Sequence, residues 1–121
     1  MPPMRALVAV SDLFHLPRVE AAVRAAGFVP VMVMRAADLD RALVEPPALA
    51  VIDLALKGLD PLAVIARLRA AARRIPIAAF GSHVQADRLQ AARDAGADDV
   101  FANSALMGDL AGRLRSLASS D

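Results

Sequence analysis

Cysteine, tryptophan and tyrosine are absent from this chain, lysine occurs once, at position 57, and aromatic residues make up only 3% of it. Without cysteine there is no disulfide framework, thiolate nucleophile or thiolate metal site. With so few aromatics the core has to be built from Leu, Val, Ile, Met and Ala, which favours close packing of helices on a sheet. Charge of one sign is lacking too: a net charge of +1 gives no field to draw in nucleic acid or an anionic membrane. The arginines Arg67, Arg69, Arg73 and Arg74 have no aromatic residues among them and read as a solvated helix face, not a nucleic-acid stripe. No apolar run approaches the roughly 18 residues of a membrane span. The opening stretch is interrupted by Ser11 and Asp12 before it can serve as a signal segment. A cytoplasmic, soluble protein is expected, contacting neither membrane nor nucleic acid.

What the chain does have is regular alternation, organised around Ala48 to Pro61. There an apolar run, Ala48 to Ile52, ends abruptly in Asp53, and Gly58 and the pair Asp60-Pro61 follow. A strand apolar on both faces is buried on both faces, as in a parallel sheet covered by helices. Asp53 then lies where the strand runs out, at the sheet edge where open α/β sheets bind ligands. At 121 residues the chain forms one domain, spanning residues 1–121. That length suffices to bury about two thirds of the unfolded surface.

Around that centre, Arg5 to Val10 reads as a first strand and Pro17 as part of the first turn of a helix carrying Leu16, Val19, Val23 and Ala26, ended by Gly27. Val29 to Met34 is a second strand, and Pro30 near its start marks it as an edge strand. Asp38 to Val44 is a short helix before Pro46-Pro47. Asp60 caps a third helix opened by Pro61, a cap worth about 1 kcal/mol, with Leu62, Ile65, Leu68 and Ala72 as its buried stripe. Ile77 to Phe80 is a fourth strand. Ser82 and Gln85 have the form of a capping box for a fourth helix that Gly96 terminates. Val100 to Ala102 is a fifth strand, and Asn103 or Ser104 caps a last helix carrying Leu106, Leu110, Leu114 and Leu117. Five βα units with right-handed crossovers predict a doubly wound α/β fold, a five-stranded parallel sheet in the order 2-1-3-4-5.

Three segments carry a family resemblance: AGADDVFANS is similar to the signature AGADDYLTKP, PALAVIDLALKGLDP resembles a phosphoacceptor strand, and IPIAAFGS stands in the place of PVIMLTA. The chain thus resembles the receiver domain of response regulators, the CheY-like branch of the flavodoxin-like folds, over nearly its whole length. The resemblance implies a phosphoacceptor at Asp53 and a metal ligand at Asp12, both toward Mg²⁺. It also exposes departures. Ser11 replaces the second acidic residue. Gly81 stands at the usual Thr or Ser, with Ser82 one place late, and Asn103 stands at the usual Lys. Val100 occupies the aromatic switch position, with Phe101 out of phase. No proline follows Asn103, so a cis peptide is not expected there.

Mg²⁺ is normally held by one or two carboxylates with water and phosphate, which Asp12 and Asp53 can supply. Switching is more demanding. Moving an equilibrium from about 1:99 to 99:1 takes about 5.5 kcal/mol of differential binding. Charged hydrogen bonds contribute about 1.5–3 kcal/mol each, and both the Lys and the Thr of the family are missing. A weak or absent phosphoryl switch follows.

Blander readings stand beside these: Asp53 as a carboxylate that caps nearby amides, Asp12 as a turn residue, Ser82 as a helix cap. His15 and His83 follow the first and fourth strands, so Asp12, His15, Asp53 and His83 are placed to ring one crevice with the ligand types of a divalent-metal site. Ser11, Gly81, Ser82 and Asn103 line it further. The spacing Asp12-x-x-His15 does not match the Asp-x-His-x-x-Gly pattern of cobalamin-binding domains.

The expected function is a stand-alone receiver-like signalling module, not an enzyme, that works by protein contact without a phosphorylation cycle. The alternatives are a single-domain response regulator phosphorylated on Asp53 with Mg²⁺, and a metal or small-ligand site in the same crevice. With no output domain in sight, a signal leaves by contact with a kinase, a downstream protein or a second copy. The expected face is the fourth helix, fifth strand and fifth helix, about Val84 to Leu117. Periodicity puts Leu106, Leu110 and Leu114 in the core and leaves Met107 and Phe101 free to face outward.

Overall fold

A computed structural model describes residues 4–71 and 74–119. Five strands alternate with helices: β1 (Arg5–Ala9), α1 (His15–Ala25), β2 (Val29–Met32), α2 (Ala36–Ala42), β3 (Leu49–Asp53), α3 (Pro61–Ala71), β4 (Ile77–Gly81), α4 (Ala86–Ala95), β5 (Asp99–Ala102), a 3₁₀ turn (Asn103–Met107) and α5 (Leu110–Ala118). All strands are parallel, in the order β2-β1-β3-β4-β5, as expected from right-handed crossovers.

Strand side chains alternate between the two faces, and each face has its own core. Leu7, Ala9, Ala50, Ile52, Ile77 and Ala79 pack under α2, α3 and α4 with Leu39, Ile65, Leu68 and Ala92. Ala6, Val8, Leu49, Val51, Ala78 and Phe80 pack on the other side under α1 and α5 with Val19, Val23, Leu110 and Leu114. β3 is buried at all five positions, which is why its sequence reads as a continuous apolar run. Pro30 lies in β2, which pairs only with β1, so its missing N–H costs the sheet nothing on the open side.

Several helix ends differ from the sequence expectation. α2 starts at Ala36, two residues before Asp38, because Asp38 acts from inside the first turn: its Oδ2 accepts from the N–H groups of Met34 and Arg35, each at 3.0 Å. The expected capping box at Ser82 and Gln85 does not form. α4 begins at Ala86, and Ser82 closes a separate turn in which its carbonyl accepts from Gln85 N–H at 3.0 Å. Asn103 and Ser104 open the 3₁₀ turn, and α5 is capped by Asp109, whose Oδ1 accepts from Gly112 N–H at 2.9 Å. β2 stops at Met32, two residues early. Phe101 is buried, not outward, while Met107 is exposed. Asp60 and Pro61 open α3 as expected, with Leu62 N–H donating to Asp60 Oδ1 at 3.0 Å. Ala72 and Arg73 lie outside the described residues.

Arg69 is not part of a solvated face. It is a half-buried clamp between α3 and the loop before β5: its guanidinium donates to the carbonyls of Ile75 and Gly96 and pairs with Asp98 at 2.7 Å. Asp98 Oδ2 also accepts from Ile77 N–H at 2.8 Å, which fixes the start of β4. Gly96 ends α4 at φ +122°, with a Cβ position only 3.0 Å from Arg69 Cγ, so left-handed geometry and clamp together demand glycine. Asp99 forms a two-point bond to Arg113, at 2.7 and 2.9 Å, and holds α5 on β5. That bond raises the Arg113 pKa.

Two outcomes follow. Arg69→Met leaves two carbonyls and Asp98 without their donor and lowers unfolding free energy in urea by about 1.5–3 kcal/mol. The Met34 and Arg35 amides hold the Asp38 carboxyl below its ordinary value of 3.8. Its contribution to stability is therefore present above that value and is lost as pH falls through the lower folded one. Asp38→Ala melts at a lower temperature than the parent at pH 7, and the gap closes as the pH is brought below 3.8.

Candidate functional site

Because the strands are parallel, their carboxyl ends meet along one edge. β1 delivers Ser11 and Asp12 there, β3 ends in Asp53, β4 in Gly81, and β5 runs into Asn103. Asp53 is the one polar or charged side chain fully buried among the described residues, at 1% exposure. Its Oδ1 accepts from Ala55 N–H at 2.8 Å, and its Oδ2 lies 2.8 Å from His15 Nδ1. A carboxylate only accepts, so Nδ1 carries the proton of that bond.

His15 reaches Asp53 because of how α1 begins. Asp12 Oδ1 accepts from the N–H groups of Phe14 and His15, at 2.7 and 3.0 Å, and Asp12 C=O accepts from Leu16 N–H at 2.9 Å. These bonds hold the Asp12 carboxyl below the usual carboxylate range, the His15 amide contributing most. They also make His15 the first residue of the helix, with its ring turned toward β3. The imidazole edge rests on the ring of Phe80 at 5.4 Å between centroids and 79° between planes. Phe80 in turn stacks on Phe101 at 5.9 Å. The Arg113 guanidinium lies 4.2 Å from the centre of the Phe101 ring, so the Asp99–Arg113 pair is coupled to the aromatic stack.

The remaining predicted rim residues divide. Ser11 Oγ accepts from Lys57 N–H at 3.1 Å and ties the β1–α1 loop to the loop after β3. Gly81 is buried, and a Cβ there meets Leu54 Cδ1 at 3.2 Å, so the space next to it belongs to Leu54. Ser82 is half-buried, and His83 is exposed in the turn before α4. Asn103 Oδ1 is buried without a hydrogen-bond partner. Among the described residues no group of three or more histidine, aspartate or glutamate side chains is placed to hold a metal ion. The expected ring of Asp12, His15, Asp53 and His83 is therefore not assembled. Only His15 and Asp53 bond directly, with Asp12 Oδ1 4.0 Å from His15 Nδ1.

Mg²⁺ takes oxygen ligands at about 2.0–2.1 Å in near-ideal octahedral geometry. The His15 imidazole bonds Asp53 Oδ2, and its Nδ1 lies 4.0 Å from Asp12 Oδ1, so the ring competes with a shared cation for the same carboxylate oxygens. In this arrangement the residues present do not fit a cation bridging Asp12 and Asp53. Sequence reasoning named His15 but missed this role. It also missed Arg88, which donates from Nε and Nη2 to Leu54 C=O at 3.0 and 2.9 Å and fixes the residue after Asp53.

No family model matches the chain. The transcriptional regulatory protein PrrA of Mycobacterium tuberculosis and its counterpart in Mycobacterium bovis are each 28% identical over 114 residues, 93% of this chain and 49% of theirs. The chain thus spans about half the length of the curated relatives it matches. Among solved structures, the N-terminal signal receiver domain of a two-component response regulator from Bacteroides fragilis superposes with a TM-score of 0.81 at 16% identity, covering 99% of this chain and 100% of that one. A response regulator from Thermotoga maritima gives 0.79 at 20% identity, with 98% and 100% covered. The receiver domain of a Pseudomonas aeruginosa sensor histidine kinase, with magnesium in its active-site cleft, gives 0.79 at 23% identity, with 98% and 100% covered. The fold of this chain is the CheY-like receiver fold of response regulators.

Phe80 supports both His15 and Phe101 and is itself fully buried. Phe80→Ala lowers stability by about 3–5 kcal/mol, read as a shift of the urea midpoint.

Proposed function

We propose that this chain is a receiver-like signalling module that acts by protein contact without a phosphorylation cycle. One observation carries the reading: the carboxylate at the acceptor position is buried and both its oxygens are bonded inside the chain, Oδ2 to His15 and Oδ1 to Ala55. A nucleophile has to present an accessible lone pair to the donor, and Asp53 is 1% exposed. Loss of switch groups supports the same reading. Asn103 offers no positive charge where the family has lysine, and Gly81, crowded by Leu54, offers no hydroxyl.

Signalling by contact suits a fold whose solved relatives are signalling domains. The face formed by α4, β5 and α5 is the proposed surface for a kinase, a downstream protein or a second copy of the chain. Asp87, Gln90, Arg93 and Asp94 of α4 are exposed, while Met107, at 68% exposure in the turn before α5, stands beside α1. No described helix is long and apolar enough to cross a membrane, which is compatible with a cytoplasmic site of action. The module is not proposed to catalyse a reaction.

A second reading, phosphorylation of Asp53 with Mg²⁺, has one observation in its favour. Asp12 and Asp53 both lie near one imidazole nitrogen, at 4.0 and 2.8 Å, and the magnesium-bearing receiver of the Pseudomonas kinase shares the fold. It requires His15 to leave.

A nuclear magnetic resonance titration of labelled protein with Mg²⁺ and then beryllofluoride, a mimic of the acyl phosphate, separates the two. The expected result is no beryllofluoride-dependent shift in α4 or α5. Shifts that spread from Asp12 and Asp53 to those helices, and disappear in Asp53→Asn, establish a phosphoryl switch instead.

A further inference from the structure

We infer that His15 is an internal substitute for a divalent cation, and that its imidazole keeps a two-carboxylate site, Asp12 and Asp53, closed to metal. The inference deepens the reading above and rests on it, since a site without a cation is a site without phosphoryl chemistry.

Three features place the imidazole where a cation has to go. His15 Nδ1 is 2.8 Å from Asp53 Oδ2 and 4.0 Å from Asp12 Oδ1, so the ring nitrogen is bonded to one oxygen that a bridging ion needs and lies close to the other. The ring does not arrive there on a long, free tether. His15 is the first residue of α1, and the helix start is fixed by Asp12 through two amide bonds. The T-shaped contact with Phe80, at 5.4 Å between centroids, further holds the ring. The side chain is 20% exposed, so the ring also closes the path from solvent to an Asp53 carboxylate that is itself 1% exposed.

The same contacts make the closed state the dominant one. A ligand that binds only when the ring is out has its apparent affinity reduced by the fraction of molecules with the ring out. A charge-assisted hydrogen bond of ordinary strength makes that fraction about one in ten to one in a hundred. Removing the imidazole abolishes this competition and leaves both carboxylates in place. Asp12 keeps its backbone bonds to residues 14 and 15, because these involve main-chain N–H groups that Ala or Ser at position 15 also supplies.

The test is a Mg²⁺ titration followed by amide resonances in three proteins: the unsubstituted chain, His15→Ala and His15→Ala combined with Asp53→Asn. His15→Ser is a second replacement, and the spectra themselves report folding. Saturable shifts at residues 11–13 and 53–55 are expected in His15→Ala and His15→Ser at Mg²⁺ concentrations at least about tenfold below any response of the unsubstituted chain. They are expected to vanish in the double variant. Saturation at the same concentration with and without His15, or folded His15 variants that gain no binding, overturns the inference. If the unsubstituted chain binds Mg²⁺ as tightly as the variants yet ignores beryllofluoride, the role of His15 fails and the phosphorylation-independent reading stands. A beryllofluoride response in the unsubstituted chain removes both.

Discussion

The bond between His15 Nδ1 and Asp53 Oδ2 is the interaction on which this site depends. Asp53 ends a strand buried at every position, and a carboxylate there is costly unless its oxygens find donors. In this chain the donors are internal, a backbone amide two residues on and an imidazole from the start of α1. The start of α1 and the end of β3 are thus tied together by the bond that satisfies the buried acid.

The residues that carry the resemblance to receivers divide into two groups with different work. In AGADDVFANS, Gly96 accommodates the Arg69 clamp, Asp98 fixes the start of β4, and Asp99 holds α5 through Arg113. These are demands of a doubly wound sheet in which two helix layers have to be tied to the strands between them. At the carboxyl edge the demands differ. Gly81, Asn103 and the internally bonded Asp53 supply neither a hydroxyl, nor a positive charge, nor a free carboxylate oxygen. The contacts that hold the receiver fold are therefore separate from those at the carboxyl edge.

Where sequence reasoning missed, it missed at helix ends. Asp38 looked like the start of α2 but acts from inside its first turn, and Ser82 and Gln85 have capping-box spacing yet close a turn upstream of α4. Cap chemistry permits several registers over two or three residues, and tertiary contacts choose among them. The sequence offers Asn103 or Ser104 as the cap of the last helix; instead a 3₁₀ turn buries Leu106, and Asp109 starts α5 afresh. A four-residue strand gives little periodicity to orient Phe101, so the sequence leaves its direction open. Its stacking on Phe80 decides the matter.

By itself the sequence determined the five βα units, their strand order, the buried central strand and the edge at which Asp12, Asp53 and Asn103 meet. These follow from apolar periodicity, turn residues and crossover handedness, all of which are local or topological. It also placed His15 and His83 near that edge, but it could not distinguish them. Only the tertiary structure brought one imidazole onto Asp53 and left the other exposed. The physical reason is that a hydrogen bond across 38 residues depends on the exact pitch at which α1 leaves β1, a fraction of a turn that no spacing in the sequence encodes.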